Sequence, residues 1–188
     1  AGADRFPVAS GPAPPRNAAV NFCGKILSWD ALPGWRAALR QSGKTLVVTN
    51  GCFDLLHAGH VDLLKRARAI GDRLIVGLNS DASVRALKGA GRPIQPVTWR
   101  ESVLRELRCV DDVVVFEETN VVGLLERIKP TVWVKGGDYT MATLNQDELR
   151  QALRLRIQVV LLPVNYGVHI SDFVQPTSVS ANEIIGNT

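Results

Sequence analysis

Residues 45–70 place three patterns in immediate succession, and together they restrict the folds open to this chain. A short apolar run, residues 45–48, predicts a β-strand, and an amphipathic run, residues 61–70, predicts a helix. The segment between them, residues 49–60, holds two glycines and two histidines. It predicts a tight loop that leads from the strand into the helix start. A strand followed directly by a helix is typical of α/β folds.

The two histidines of this segment, His57 and His60, share one face of the predicted helix start because they are three residues apart. A helix start offers unpaired N–H groups and partial positive charge, and Gly51 lets a ligand approach the backbone. Imidazoles beside a phosphate can donate hydrogen bonds to oxygens that gain negative charge in a transition state. Two other interpretations stay open: ordinary surface histidines, or a metal pair, although metal-binding histidines are more often four residues apart.

The rest of the chain alternates between apolar runs and helical patterns. Four further strands are predicted, at residues 73–78, 113–116, 131–134 and 157–162. Continuous apolar strands between helices are typical of a parallel sheet covered on both faces, so we expect a doubly wound α/β domain. Residues 1–24 are rich in Pro, Ala and Gly and predict an extended arm, which leaves residues 25–188 as one domain.

Composition narrows the classes of partner. The 188 residues carry a formal net charge of +4 that is not gathered into a run, which argues against nucleic acid and suits a small anionic substrate. No apolar stretch is long enough to span a membrane, and no leader pattern is visible. The three cysteines, Cys23, Cys52 and Cys109, have neither metal nor disulfide spacing, which favours a reducing cytoplasm.

Polar residues follow the second predicted strand. Asn79 and Asp81 stand where that strand ends, and they could cap the next helix or contact a ligand at the carboxyl edge of the sheet. Lys88 and Arg92 lie on a following loop with two glycines, which could close over a polyphosphate or remain solvated.

Two later segments add candidates. Thr98 is expected to cap a helix whose first turn holds Arg100, where a cation opposes the helix dipole and hints at an anionic partner. Residues 136–137 are both glycine and follow the fourth predicted strand, which puts bare backbone at the ligand edge unless they form a plain turn.

Residues 49–60 resemble the His-x-Gly-His signature of the nucleotidylyltransferase superfamily, the cytidylyltransferase-like fold. They are most similar to the family that makes ADP-heptose from heptose 1-phosphate. The resemblance extends from about residue 25 to residue 162 and is carried by Arg100 and by residues 49–54, 57–60, 76–81, 92–94, 109–111 and 134–139. It implies a Rossmann-like five-stranded sheet in the order 3-2-1-4-5. It also implies ATP as a substrate, Mg²⁺ held mainly by phosphates rather than by the protein, and release of pyrophosphate.

Carried over to this chain, the resemblance assigns three groups of residues. The catalytic donors would be His57, His60 and Lys88. The nucleotide would be bound by Thr49, Asn50, Gly51, Cys52, Phe53, Asn79, Asp81, Arg92, Gly136, Thr177 and Ser178. The sugar phosphate would be bound by Asp54, Arg100, Lys135 and Asp138.

The sequence departs from the family pattern near its end. The family usually has a Ser-Thr-Thr motif directly after the fifth strand, whereas residues 165–175 intervene here and the nearest match begins at Thr177. Ser178 could be an ordinary helix cap, or its hydroxyl could bind phosphate. Many members of the family carry a sugar kinase domain before this one, whereas this sequence shows none, so we expect a stand-alone type. The family also suggests a homodimer.

Two alternatives to a sugar 1-phosphate adenylyltransferase remain. A cytidylyltransferase acting on glycerol phosphate or another alcohol phosphate would share the histidine signature, but its usual Arg-Thr-x-Gly-x-Ser-Thr-Thr ending is absent from this sequence. A non-catalytic nucleotide-binding module is suggested by the irregular last segment.

Overall fold

A computed structural model describes residues 28–137 and 139–163 of the chain. Within those ranges, helices and strands alternate after an initial helix. The helices are α1 (Leu32–Gln41), α2 (Ala58–Arg68), α3 (Asp81–Lys88), α4 (Val97–Glu106), α5 (Val122–Ile128) and α6 (Gln146–Arg154). The strands are β1 (Leu46–Gly51), β2 (Arg73–Asn79), β3 (Asp112–Phe116), β4 (Val132–Gly136) and β5 (Gln158–Leu162).

The strands form one sheet in the order β3-β2-β1-β4-β5, and every neighbouring pair is parallel. This confirms the predicted α/β class and strand order. β1 lies at the centre, hydrogen-bonded to β2 on one side and to β4 on the other. After β3 the chain crosses to the other side of β1 and continues as β4 and β5, so the direction of winding reverses. A crevice therefore opens between β1 and β4, beyond the carboxyl ends of these strands.

Both faces of the sheet are covered, because successive side chains along each strand point to opposite faces. In β1, Val48 packs with Leu124 of α5 on one face, whereas Val47 packs with Leu64 of α2 on the other. All four side chains are fully buried. Burial of each such aliphatic side chain is worth roughly 1.5–3 kcal/mol, so these layers hold the site loops on a firm base.

Two local predictions differ from the structure. β1 continues to Gly51 because Asn50 and Gly51 pair with Gly77 and Leu78 of β2, so the first part of the motif is strand rather than loop. The expectation that Thr98 caps α4 was wrong. Pro96 occupies that N-cap, in extended backbone, and no side chain completes the cap.

Candidate active site

A cleft of about 730 Å³ lies at the carboxyl ends of β1, β2 and β4. It brings together most of the residues that the sequence singled out, although they come from distant parts of the chain. The predicted site residues that line it are Asn50, Gly51, Cys52, Phe53, Asp54, His57, His60, Asn79, Lys88, Arg92, Lys135 and Gly136.

His57 is the N-cap residue of α2. Its backbone is extended, with φ −137° and ψ 171°, and its Nδ1 accepts a hydrogen bond of 3.2 Å from the backbone N–H of Gly59. An accepting Nδ1 leaves Nε2 to carry the proton in the neutral ring. The cap therefore fixes the tautomer and leaves one N–H donor available in the cleft.

His60 lies in the first turn of α2, with its ring centroid 3.8 Å from that of His57. The pKa of His60 is lowered to about 4, chiefly by burial and secondly by the neighbouring His57, while the Leu55 carbonyl opposes the shift. Its buried Nδ1 has no partner of good hydrogen-bond geometry among the described residues. At neutral pH the ring is therefore uncharged, and it can act on a phosphate only as a hydrogen-bond donor.

The end of β1 forms the floor of the cleft. Phe53 has a positive φ of 43°, and its ring contacts that of His60 at a centroid distance of 5.2 Å. A Cβ at Gly51 would lie 3.1 Å from the Phe53 ring, so the glycine makes room for this packing. Asn50 turns its amide oxygen to Trp133, whose indole N–H donates at 3.1 Å. The floor is thus held by packing beneath the two histidines.

The β2 side of the cleft carries two cations. Lys88 is the last residue of α3, and it makes no ion pair within the described part of the chain. Arg92 donates to the Asp54 carboxylate at 2.6 Å, and the backbone N–H groups of Ile94 and Gln95 donate to the same carboxylate at 2.8–3.0 Å. The 5% exposed side chain of Asp54 thus fastens the cationic loop, and its role as a sugar-phosphate ligand stays a prediction.

The β4 side carries an ion pair of which only one member, Lys135, was predicted as a site residue. Lys135 was predicted to bind substrate, and its ammonium lies 3.2 Å from the carboxylate of Glu148 in α6. Tyr139 and Asn145 also line this side and were missed. Asn145 caps α6, and an Asn followed three residues later by Glu is a helix-start pattern that could have drawn attention to Glu148.

Three predicted ligand contacts fall elsewhere. Arg100 is 1% exposed, and its guanidinium donates to the carbonyls of Cys52, Asn79 and Gln95 and to the carboxylate of Asp81. Arg100 and Asp81 are therefore partners of each other and do not line the cleft; that Arg100 binds substrate and that Asp81 binds nucleotide stay predictions. Thr49 is fully buried within β1 and does not line the cleft.

The remaining predicted site residues are Asn79, Cys52 and three residues that the structure does not describe. Asn79 reaches the cleft wall, but its amide donates to Ser83 at 2.8 Å. Burial raises the pKa of the Cys52 thiol, and nearby cations only partly oppose it, so this thiol is protonated at neutral pH. Asp138, Thr177 and Ser178 lie outside the described residues.

Neither a cluster of metal ligands nor a membrane-spanning helix is found among the described residues. Across residues 28–137 and 139–163, no three His, Cys, Asp or Glu side chains gather in a way that could hold a metal ion. Over the same residues, every helix is too short or too polar to cross a bilayer.

Comparisons with known proteins agree with this geometry. The family model described as cytidylyltransferase-like matches residues 48–187, which begins within β1 and includes both histidines. The fold and site thus define an enzyme of the nucleotidyltransferase class. The chain belongs to the cytidylyltransferase-like family.

Several relatives are named bifunctional protein HldE. The one from Geotalea uraniireducens is 50% identical over 136 residues, which are 72% of this chain and 28% of that protein. The one from Streptomyces coelicolor is 53% identical over 132 residues, 70% of this chain and 28% of that protein. The one from Acidiphilium cryptum is 60% identical over 104 residues, 55% of this chain and 21% of that protein. This chain therefore spans less than a third of the length of these relatives.

Two solved structures share the fold. The lipopolysaccharide core biosynthesis protein from Thermoplasma volcanium has 28% sequence identity and a TM-score of 0.54, over 65% of this chain and 97% of that chain. Pantoate-beta-alanine ligase from Francisella tularensis has a TM-score of 0.53 at 15% identity, over 74% of this chain and 66% of that chain. The second likeness concerns the fold alone.

Proposed function

We propose that this protein transfers AMP from ATP to a sugar 1-phosphate, D-glycero-β-D-manno-heptose 1-phosphate being the first candidate. The products would be the ADP-sugar and pyrophosphate. The observation that carries the proposal is the pair of neighbouring histidine rings at the start of α2, inside a cleft that also holds Lys88 and Arg92. The motif resemblance and the HldE relatives support the choice of acceptor.

The reaction needs no general base. An oxygen of the acceptor phosphate is already anionic, and it attacks the α-phosphorus of ATP in line. The bond from the α-phosphorus to the oxygen that bridges it to the β-phosphorus breaks, and pyrophosphate takes that oxygen and the bonding electrons. Catalysis then consists of positioning and of stabilising the charge that spreads over the phosphoryl oxygens.

The histidines suit this task because they are donors that do not compete for a proton. His57 has its Nδ1 occupied by the Gly59 N–H, which leaves Nε2–H to donate. His60 stays neutral because burial lowers its pKa to about 4. The N-terminus of α2 adds free N–H groups and the positive end of its dipole, which favours phosphate at the same place.

Lys88 and Arg92 can neutralise the negative charge of the phosphates. Lys88 lines the cleft without an ion-pair partner among the described residues, so its full charge is available to the triphosphate. Asp54 partly neutralises Arg92 and orients its guanidinium, and it uses only some of the guanidinium N–H donors. Mg²⁺, when bound, would neutralise phosphate oxygens, and it would be held by those oxygens because the described residues offer no cluster of three ligands.

The test is a product analysis. The protein is incubated with Mg²⁺, ATP or CTP, and a panel of heptose, hexose and glycerol phosphates, and products are identified by mass alongside pyrophosphate release. ADP-heptose from ATP is the expected product. CDP-glycerol or another CDP-alcohol would instead identify a cytidylyltransferase. Nucleotide binding by calorimetry with no product from any acceptor would identify a non-catalytic module.

A further inference from the structure

The β4 side of the cleft contains a buried ion pair whose acidic member has no role in the proposed reaction. Glu148 is 5% exposed, and the side chain of Lys135 is 13% exposed. Both line the cleft, and the ammonium lies 3.2 Å from Oε2 of Glu148. Placing two charges in so protected a setting is costly, and such pairs are weak evidence for stability alone.

Glu148 is tied down on its other side. Its Oε1 accepts a hydrogen bond of 3.0 Å from the backbone N–H of Val121, which precedes α5. Its own backbone N–H donates to the cap residue Asn145 at 3.2 Å. Val121 thus holds the carboxylate, and the Asn145 cap holds the backbone that carries it, so Glu148 can act as a rigid anchor for a long and otherwise flexible lysine side chain.

Lys135 is restrained by rings as well. Its ammonium lies 5.2 Å from the ring centroid of Trp133 and 5.5 Å from that of Tyr139. A cation at these distances is attracted to both faces, but neither ring sets its direction as a hydrogen bond does. The contact with Glu148 supplies that direction and leaves the other ammonium protons free to donate into the cleft.

We infer that Glu148 is a positioning residue: it holds the Lys135 ammonium at the β4 end of the cleft, where Lys135 donates to an oxygen of a bound substrate. The inference rests on the proposed function. The oxygen belongs to a phosphate or hydroxyl group, which either ATP or the sugar phosphate could supply. Glu148 itself acts only through Lys135.

The experiment is a double-substitution cycle. Glu148→Gln, Lys135→Met and the combined variant are purified, and KM for ATP, KM for the sugar phosphate and kcat are measured for each. Glu126→Gln is the matched control, because Glu126 pairs with Arg154 on α6 outside the cleft. Thermal unfolding of all variants reports any loss of folding.

We expect Glu148→Gln to raise the KM of one substrate about tenfold and leave the other within about twofold, which also identifies the substrate that Lys135 contacts. In the Lys135→Met background the same change should then have no further effect on KM. A purely structural role would instead weaken both backgrounds equally, because the negative charge that residue 148 presents to the Val121 N–H is removed in each, whether or not Lys135 is present. Glu148→Asp, which keeps the charge, should recover part of the loss.

The outcomes separate the two claims. Equal KM effects in both backgrounds, or an unchanged KM in Glu148→Gln, overturn the inference while the wild-type protein still makes nucleotide sugar. If the wild-type protein makes none from any acceptor, the proposed function fails and the inference falls with it.

Discussion

The ring centroids of His57 and His60 lie 3.8 Å apart, with the ring planes tilted by 33°. Two imidazoles this close cannot both be protonated without strong repulsion. His60 responds with a pKa of about 4, for which burial is the larger cause and His57 the second. His60 is therefore uncharged at neutral pH, and the pH behaviour of the site follows from that ring.

The first prediction concerns stability against pH. The His60 pKa is about 4 in the folded protein and near 6.5 when unfolded, so the unfolded chain binds a proton first as the pH falls. The contribution is fully present above pH 6.5 and is lost as the pH falls through 4, amounting to about 3 kcal/mol. Denaturant unfolding at pH 7.5, 6, 5 and 4 measures it.

His60→Gln is the control for that measurement, because glutamine does not titrate. The variant should lose less stability than the wild-type protein over the same pH interval. Identical slopes for the two proteins would show that His60 does not titrate as described.

The second prediction concerns catalysis. His57→Ala and His60→Ala each remove a donor from the cleft, and loss of one such donor typically lowers kcat by about two to three decades. Pyrophosphate release with saturating substrates measures the effect. Rates within about twofold of wild type for both variants would contradict a role for the histidines in stabilising the transition state.

The third prediction concerns Gly77 in the middle of β2. A Cβ there would lie 2.4 Å from Cδ2 of Leu124, whose side chain is fully buried. Gly77→Ala should therefore destabilise the fold by about 1–3 kcal/mol through overpacking. Gly34→Ala is the matched control, because a Cβ at Gly34 meets nothing within 4 Å and the residue lies in a helix.

Urea unfolding of both glycine variants gives the comparison. The control should be neutral or slightly more stable, since alanine favours a helix by up to about 1 kcal/mol over glycine. A Gly77→Ala variant as stable as the control would mean that Leu124 moves aside freely.

The fourth prediction concerns Arg100, which joins the ends of β1 and β2 behind the cleft. Arg100→Met leaves the carbonyls of Cys52 and Asn79 without this donor and Asp81 without its partner. We expect a loss of about 3 kcal/mol in the free energy of unfolding, because breaking a buried pair strands the remaining groups.

Arg150→Met is the comparison for Arg100. Its side chain is 73% exposed and pairs with Asp147 at the surface, so its loss should change stability by less than about 1 kcal/mol. Similar effects for the two arginines would contradict the bracing role of Arg100.

The fold could be predicted because one pattern, an apolar run of strand length between amphipathic stretches, recurs along the chain and indicates a parallel sheet. Residues 49–60 indicate which strand carries the site. What could not be predicted is the direction in which polar side chains point. Arg100 reads as a cation at a helix start, yet the helix turns it inward, where three carbonyls and Asp81 use its donors.

The contacts of Asp54 and Glu148 could not be predicted, for related reasons. Asp54 sits within the recognised motif, but its partners, Arg92, Ile94 and Gln95, come about forty positions later in the chain and are invisible in local pattern. Glu148 is one of two acids in the first turn of an amphipathic helix, and only the three-dimensional structure reveals its contact with Lys135.

β1 is the central strand of the sheet and leads directly into the segment that carries His57 and His60. Hydrogen-bonded ladders on both of its edges fix its register, so the two imidazoles follow the strand whose position the sheet restrains from both sides. The proposed hydrogen-bond donors to phosphate are thereby attached to a strand that is paired along both of its edges.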